Sequence, residues 1–215
     1  MNKLSRSLEF DEVAHSYIVN GVSIPSVTEI VSPITYSKYS VPNAVVDQAA
    51  YRGTIVHQMC ADYDLGIIDD DYEVETELAL YLAAWMQFCK DYQPEWEYVE
   101  AKMADMNFAG TVDRIGIIDG KRTIVDIKTV ANMDRAAKVA VCAQIYGYDY
   151  LAVVNDIKDT KPFEGMAVQL KKDGTYTVHK VKDIVTKYNF NPAELWQQLK
   201  EIHFIAKGVK DCQKN

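Results

Sequence analysis

Three residues stand at spacings that can do chemistry: Asp113 in GTVDRIG, and Asp126 with Lys128 in VDIKT. Side chains on a strand alternate with a period of two, so Asp126 and Lys128 point to one face and Ile127 to the other. An aspartate and a lysine inside an apolar strand are costly to bury, so such a pair belongs at a sheet edge or in a cleft. Asp113 lies in the preceding apolar segment, across Asp119–Gly120, a two-residue pair of the kind that closes β-hairpins. Pairing about that turn sets Asp113 directly opposite Asp126. Two carboxylates opposed on one face repel unless a cation lies between them. Mg²⁺ or Mn²⁺, which favour hard oxygen ligands, suits that place. Such an ion polarises a phosphate and lowers the pKa of a bound water. Lys128 would orient or deprotonate that water, or stabilise charge developing on the phosphate. Taken alone, VDIKT is better explained as an exposed ion pair.

The elements that must position these residues follow from periodicity and turn chemistry. Residues 8–24 predict a hairpin turning at Asn20–Gly21. Ser26 and Glu29 have the spacing of a capping box for a short helix that Pro33 should end. Helices are expected over 42–66 and about 73–92. Between Asp62 and Glu77 the chain carries eight acidic residues and no basic one, the pattern of a solvated loop and helix start. Strands are expected over 96–104, 107–118 and 122–130, then a helix over about 134–154. A second strand pair, 163–171 and 175–182, turns at Asp173–Gly174, and a last helix spans about 192–207. The expected fold is α/β: a central mixed β-sheet flanked by helices, with a helical N-terminal portion. Residues 1–215 are expected to form a single domain. Its parts are a mainly helical portion with a leading hairpin (1–94), a sheet core (95–190) and a C-terminal helix (191–215).

GTVDRIG followed by VDIKT resembles the two signature strands of the PD-(D/E)XK nucleases, with Asp113, Asp126 and Lys128 on the acidic and lysine positions. Two further motifs resemble the RecB-like exonuclease branch, in particular its small phage-type members. QIYGY places Gln144 and Tyr148 four apart on one helix face, like that branch's Q-x-x-x-Y motif. RGTIVH resembles an upstream helix motif that ends in histidine. The resemblance implies a restriction-endonuclease-like core and a Mg²⁺- or Mn²⁺-dependent deoxyribonuclease. It implies catalytic Asp113, Asp126, Lys128 and Glu100, and metal ligands His57, Asp113, Asp126 and Ile127. DNA-binding residues would be Gln144 and Tyr148, with Arg52, Lys171 and Lys172 as further candidates; Lys180 and Lys182 could extend a phosphate-tracking strip. Expected partners are DNA and a recombination or repair protein, in a bacterial cell or phage-infected host. An endonuclease of the same chemistry and a non-catalytic DNA-end-binding module are the competing readings.

Composition bounds these expectations. The 215-residue chain is 48% hydrophobic, with 23 basic and 31 acidic residues and a net charge of −8. That acidity argues against a nucleic-acid partner, which needs Lys and Arg to neutralise phosphates, until the distribution is considered. Residues 1–120 hold 7 basic and 20 acidic groups, while residues 121–215 hold 16 basic and 11 acidic ones. A two-sided molecule is compatible with both a carboxylate metal site and a phosphate-binding face. Cys60, Cys89, Cys142 and Cys212 are scattered, so neither a zinc site nor an iron–sulfur cluster is expected. No apolar run is long enough for a membrane helix, and the N-terminus lacks the apolar core of a signal peptide. A cytoplasmic location is expected.

Overall fold

The computed structural model describes residues 7–11, 16–36, 43–68, 76–157 and 163–212. Part of the acidic stretch, residues 69–75, lies outside these, as do the side chains near the C-terminus, Cys212 among them. The chain is mixed α/β. A small antiparallel sheet, β1 (Leu8–Asp11), β2 (Ser16–Val19) and β3 (Val22–Ile24), comes first. Helices α1 (Val27–Tyr36), α2 (Asn43–Asp64) and α3 (Thr76–Tyr92) follow. The main sheet holds β4 (Glu95–Ala104), β5 (Ala109–Ile118), β6 (Lys121–Lys128), β7 (Glu164–Leu170) and β8 (Tyr176–Lys180) in sequence order. Its pairings are antiparallel except β6–β7, which is parallel. That pair is joined through α4 (Arg135–Val154), because parallel neighbours need a crossover rather than a tight turn. Helices α5 (Val181–Tyr188) and α6 (Pro192–Cys212) end the chain. This is the expected central mixed sheet flanked by helices.

The sheet is buried on both faces. One face, with Ile124 and Ala167, packs against Val27, Ile30, Val141, Tyr148 and Trp196 of α1, α4 and α6. The other, with Val125, Ile127 and Val168, packs against Val56, Cys60, Trp85 and Phe88 of α2 and α3. Trp85 stacks on both Phe88 (5.0 Å between ring centroids) and Trp96 (5.8 Å). Such pairs add about 0.5–1.5 kcal/mol each beyond the area they bury. No described helix is long and apolar enough to cross a membrane.

Local chemistry explains the turns. Asn20 and Gly21 (φ 51° and 81°) and Asp119 and Gly120 (φ 50° and 70°) all lie in the left-handed region, as two-residue hairpin turns require. The capping box forms in both directions, Ser26 N–H to Glu29 Oε2 (2.6 Å) and Glu29 N–H to Ser26 Oγ (3.0 Å). Two expectations are corrected. Pro33 does not end α1 but lies inside it; the Glu29 carbonyl that loses its partner at Pro33 accepts instead from Ser32 Oγ at 2.8 Å. The last strand stops at Lys180, and residues 181–188, expected partly as strand and partly as loop, form α5. That helix has no side-chain N-cap, so it lacks the usual start signal, and Asn189 ends it at φ 50°.

Candidate active site

Asp113, Asp126 and Lys128 line one open cleft of about 730 Å³, together with His57, Glu100, Gln144 and Tyr148. The β5–β6 register is the one deduced from the Asp119–Gly120 turn. The ladder runs from Ile118↔Lys121 to Arg114↔Val125, which puts Asp113 and Asp126 immediately beyond its last pair. There the Asp113 side chain takes over the work of a strand: its Oδ2 accepts the Ile127 N–H at 2.6 Å.

On the other side, β4 pairs with β5 through Val99↔Arg114 and Ala101↔Val112, so Glu100 faces Asp113 across the strands. Glu100 adopts φ 50°, a conformation costly for a residue with a Cβ and common at functional sites. Arg114, fully buried, secures it: Nη1 donates to Glu100 Oε1 at 2.9 Å, while Nε donates to Asp64 Oδ2 of α2 at 2.6 Å. Helix α2 also supplies His57, seven residues before Asp64 and therefore two helical turns along one face.

The imidazole of His57 bridges β5 and β6. Its Nε2 lies 3.1 Å from the Ile127 carbonyl and its Nδ1 3.4 Å from Asp113 Oδ1. A carbonyl can only accept, so Nε2 carries the hydrogen. Nδ1 meets the carboxylate either as N–H in the protonated ring, which the neighbouring Asp113 favours, or as a lone pair when a cation is held between the two. One ligand atom each from His57, Glu100 and Asp113 fall within 4.8 Å of one another, and this group could hold a divalent metal ion. Two carboxylates and an imidazole suit a borderline-to-hard divalent ion.

The expected ligand residues lie close together in the cleft, with Glu100 beside them. Glu100 groups with His57 and Asp113, and Asp126 lies beside Lys128, whose Nζ is 3.1 Å from Oδ1 and 2.9 Å from Oδ2. Ile127, expected among the metal ligands, directs its carbonyl to His57 and its N–H to Asp113.

Crowded carboxylates show in their proton affinities. Burial, then the Asp113 charge, pushes Glu100 up to about 7. Burial pushes Asp126 up to about 6, with Lys128 opposing the rise and Asp113 adding to it. Asp113 also pays for burial, but His57, Lys128 and the Ile127 N–H together hold its carboxyl below the usual range. His57 is raised: burial lowers it, and the adjacent Asp113 more than compensates.

Gln144 and Tyr148, the expected DNA-binding pair, are largely buried and line the cleft. Gln144 Oε1 accepts from Lys128 Nζ at 3.1 Å, and its Nε2 donates to Tyr148 Oη at 3.0 Å. The tyrosine ring sits so close to β5 that a Cβ on Gly110 would meet its Cε1 at 2.7 Å. The first glycine of GTVDRIG is thus what admits the ring. The i, i+4 spacing revealed a shared face, but only the packing of α4 on the sheet decides that this face meets Lys128. If the chain has the deoxyribonuclease activity that the sequence leads one to expect, replacing Gln144 with Leu should lower its rate about 10–100-fold, the usual loss for a group acting through its neighbour, with little change in the melting curve. Wild-type rates in that variant would remove Gln144 from the control of Lys128.

The remaining candidates lie away from the cleft lining. The Arg52 guanidinium stands 5.9 Å from the Tyr81 ring centroid on α3, because its position on α2 faces that helix rather than the sheet. Lys171 and Lys172 belong to the turn between β7 and β8. The Lys171 N–H donates to the Thr175 carbonyl at 2.9 Å, which closes that turn. Lys180 ends β8 and Lys182 lies in α5.

No protein-family profile and no curated protein matches this chain. Among solved structures, one described as LHK-Exo in complex with dAMP is 9% identical, with 88% of this chain and 94% of that one covered and a TM-score of 0.30.

Proposed function

We propose that the protein is a metal-dependent deoxyribonuclease that hydrolyses phosphodiester bonds at DNA ends, with residues 1–215 acting as one nuclease domain. The observation that carries this reading is the meeting of three ligand groups, His57, Glu100 and Asp113, beside the Lys128–Asp126 pair in one open cleft. A structural ion pair needs neither the third carboxylate nor the imidazole. A divalent ion held there, Mg²⁺ or Mn²⁺, would supply Lewis acidity toward a phosphate oxygen and a water of lowered pKa. His57, Glu100 and Asp113 would hold it. Asp126 and Gln144 both hold the Lys128 ammonium, which lines the cleft and is placed to orient the attacking water or meet charge on the phosphate. The Asp113 bond to the Ile127 N–H ties the two strands that carry these groups, so the geometry is set before substrate arrives. Lys171, Lys172 and the neighbouring basic positions of the C-terminal half are read as phosphate contacts outside the cleft.

An endonuclease would use the same groups, and a DNA-end-binding module would keep the cleft without the reaction. Purified protein with Mn²⁺ separates the three. The exonuclease reading expects linear DNA to be degraded to nucleotides and a covalently closed circle of the same sequence to survive. Cutting of the circle would select the endonuclease. Binding of linear DNA with no cleavage under either metal would select the module.

A further inference from the structure

The small N-terminal sheet lies at one end of the same cleft and brings groups that the hydrolytic chemistry does not use. Phe10 and Tyr17 are cross-strand partners on β1 and β2, with ring centroids 4.8 Å apart and a tilt of 45°. Lys102 places its Nζ 5.1 Å from the Phe10 ring centroid. Tyr17 is buried, and its hydroxyl lies 2.8 Å from Thr111 Oγ1. Thr111 is the cross-strand partner of Lys102 and stands two residues before Asp113 on the same strand, a step of ~7 Å. Phe10, Tyr17, Lys102 and Thr111 all line the cleft that holds the carboxylates.

Packing alone explains Tyr17, which belongs to a small apolar cluster with Val19, Ile24 and Ala109. It does not explain an exposed lysine held over an aromatic ring at the mouth of a carboxylate cleft. Only 7 basic groups occur in residues 1–120, and among the described residues Lys102 takes part in no ion pair. An aromatic ring beside a cation that makes no ion pair is the pairing that holds unpaired nucleotides, the ring against the base and the cation on the backbone.

We propose that Phe10 and Lys102, backed by Tyr17, form a subsite for an unpaired nucleotide adjoining the phosphate at His57, Glu100 and Asp113. The DNA then enters the cleft as a single strand. This rests on the nuclease reading and narrows its substrate class. Phe10 offers no hydrogen-bonding pattern to a base edge, so the subsite accepts any base. Tyr17, anchored at Thr111, fixes the ring at a set distance from Asp113.

The test reads binding separately from cleavage. Ca²⁺, another hard cation for oxygen sites, replaces Mn²⁺, and strand integrity is checked on a gel afterwards. A short fluorescein-labelled oligo(dT), the same strand with abasic sugars, and a blunt duplex are titrated by anisotropy against wild type, Phe10→Leu and Lys102→Ala. Leucine keeps the apolar contact with the sheet, and melting curves check that each variant is folded. Wild type should prefer the single strand to the duplex, and Phe10→Leu should lose about tenfold in affinity for oligo(dT), the worth of one stacked base. The abasic strand should bind wild type and Phe10→Leu equally. Lys102→Ala should lower the salt dependence of single-strand binding by roughly 0.7 in the log–log slope. Equal affinity of wild type and Phe10→Leu for oligo(dT), or a preference for the blunt duplex, would overturn the subsite. Mn²⁺ calorimetry on wild type separates this from the parent reading: metal binding without base dependence sinks the subsite alone, and absent metal binding sinks the nuclease.

Discussion

Lys128→Ala should lose about 10²–10⁴-fold in the single-turnover rate on linear DNA, the range spanned by groups that move protons or meet developing charge, while still binding Mn²⁺ and DNA. The reason lies in how Lys128 is held. Its ammonium rests on both oxygens of Asp126, and Gln144 adds a third contact. Half-buried and tethered on one side, it faces the cleft at a fixed place without contacting the His57–Glu100–Asp113 group, so its removal should spare the metal ligands. The variant has a second signature. Asp126 is 2% exposed, and burial already pushes its carboxyl up to about 6 with Lys128 opposing. Without Lys128 that opposition goes, and Asp126 should take up a proton at a higher pH than in the wild type. Lys128→Met, which keeps the stem and removes the charge, should match the alanine variant in rate and exceed it in stability. A cleavage rate equal to wild type in either variant would remove Lys128 from the reaction.

Legibility in the sequence followed the range of the interactions. The Asp113–Asp126 juxtaposition needed only a two-residue turn and the alternation of strand side chains, and the ladder from Lys121 to Val125 keeps that count. The Ser26–Glu29 cap was equally local. Glu100 was visible as an acidic residue but its place opposite Asp113 was not. Strands β4 and β5 are joined through Asp105, whose Oδ1 accepts the N–H groups of Asn107 and Phe108. An aspartate-capped turn of this kind fixes the register less visibly than Asp-Gly does. Its positive φ and its grip by Arg114, which is tied in turn to Asp64, depend on helix α2 lying against the sheet. The contacts of Gln144 with Lys128 and Tyr148 and the turn of Arg52 toward Tyr81 are likewise decided by helix packing. Sequence spacing names a face; it does not say what that face meets.

Asp113→Asn should abolish calorimetrically detectable Mn²⁺ binding, and cleavage with it. Of the three grouped ligands, Asp113 is the central one: it faces Glu100 across β4–β5, its Oδ1 lies 3.4 Å from His57 Nδ1, and its Oδ2 takes the Ile127 N–H. The amide matches the carboxylate in shape but replaces one charged oxygen by a donor. Either the amide NH₂ faces the Ile127 N–H, setting donor against donor, or it faces His57 and occupies the ion's place. Neither rotamer restores an anionic ligand, whereas Glu100 and His57 alone provide too few protein donors for a firm site. The wild type supplies the matching pH test. A ligand must shed its proton to bind metal; burial and the Asp113 charge push Glu100 up to about 7, and His57 is raised as well. Raised proton affinities at Glu100 and His57 favour the protonated, metal-free form, so wild-type Mn²⁺ affinity should climb as pH rises through about 7 and flatten once both are deprotonated. In Asp113→Asn the repulsion from the Asp113 charge is gone, and the Glu100 titration should move down toward ordinary carboxylate values, readable by NMR in the metal-free protein. Retained Mn²⁺ binding in that variant would place the ion elsewhere, and an unmoved Glu100 titration would mean that burial alone, without the opposed carboxylate, sets its proton affinity.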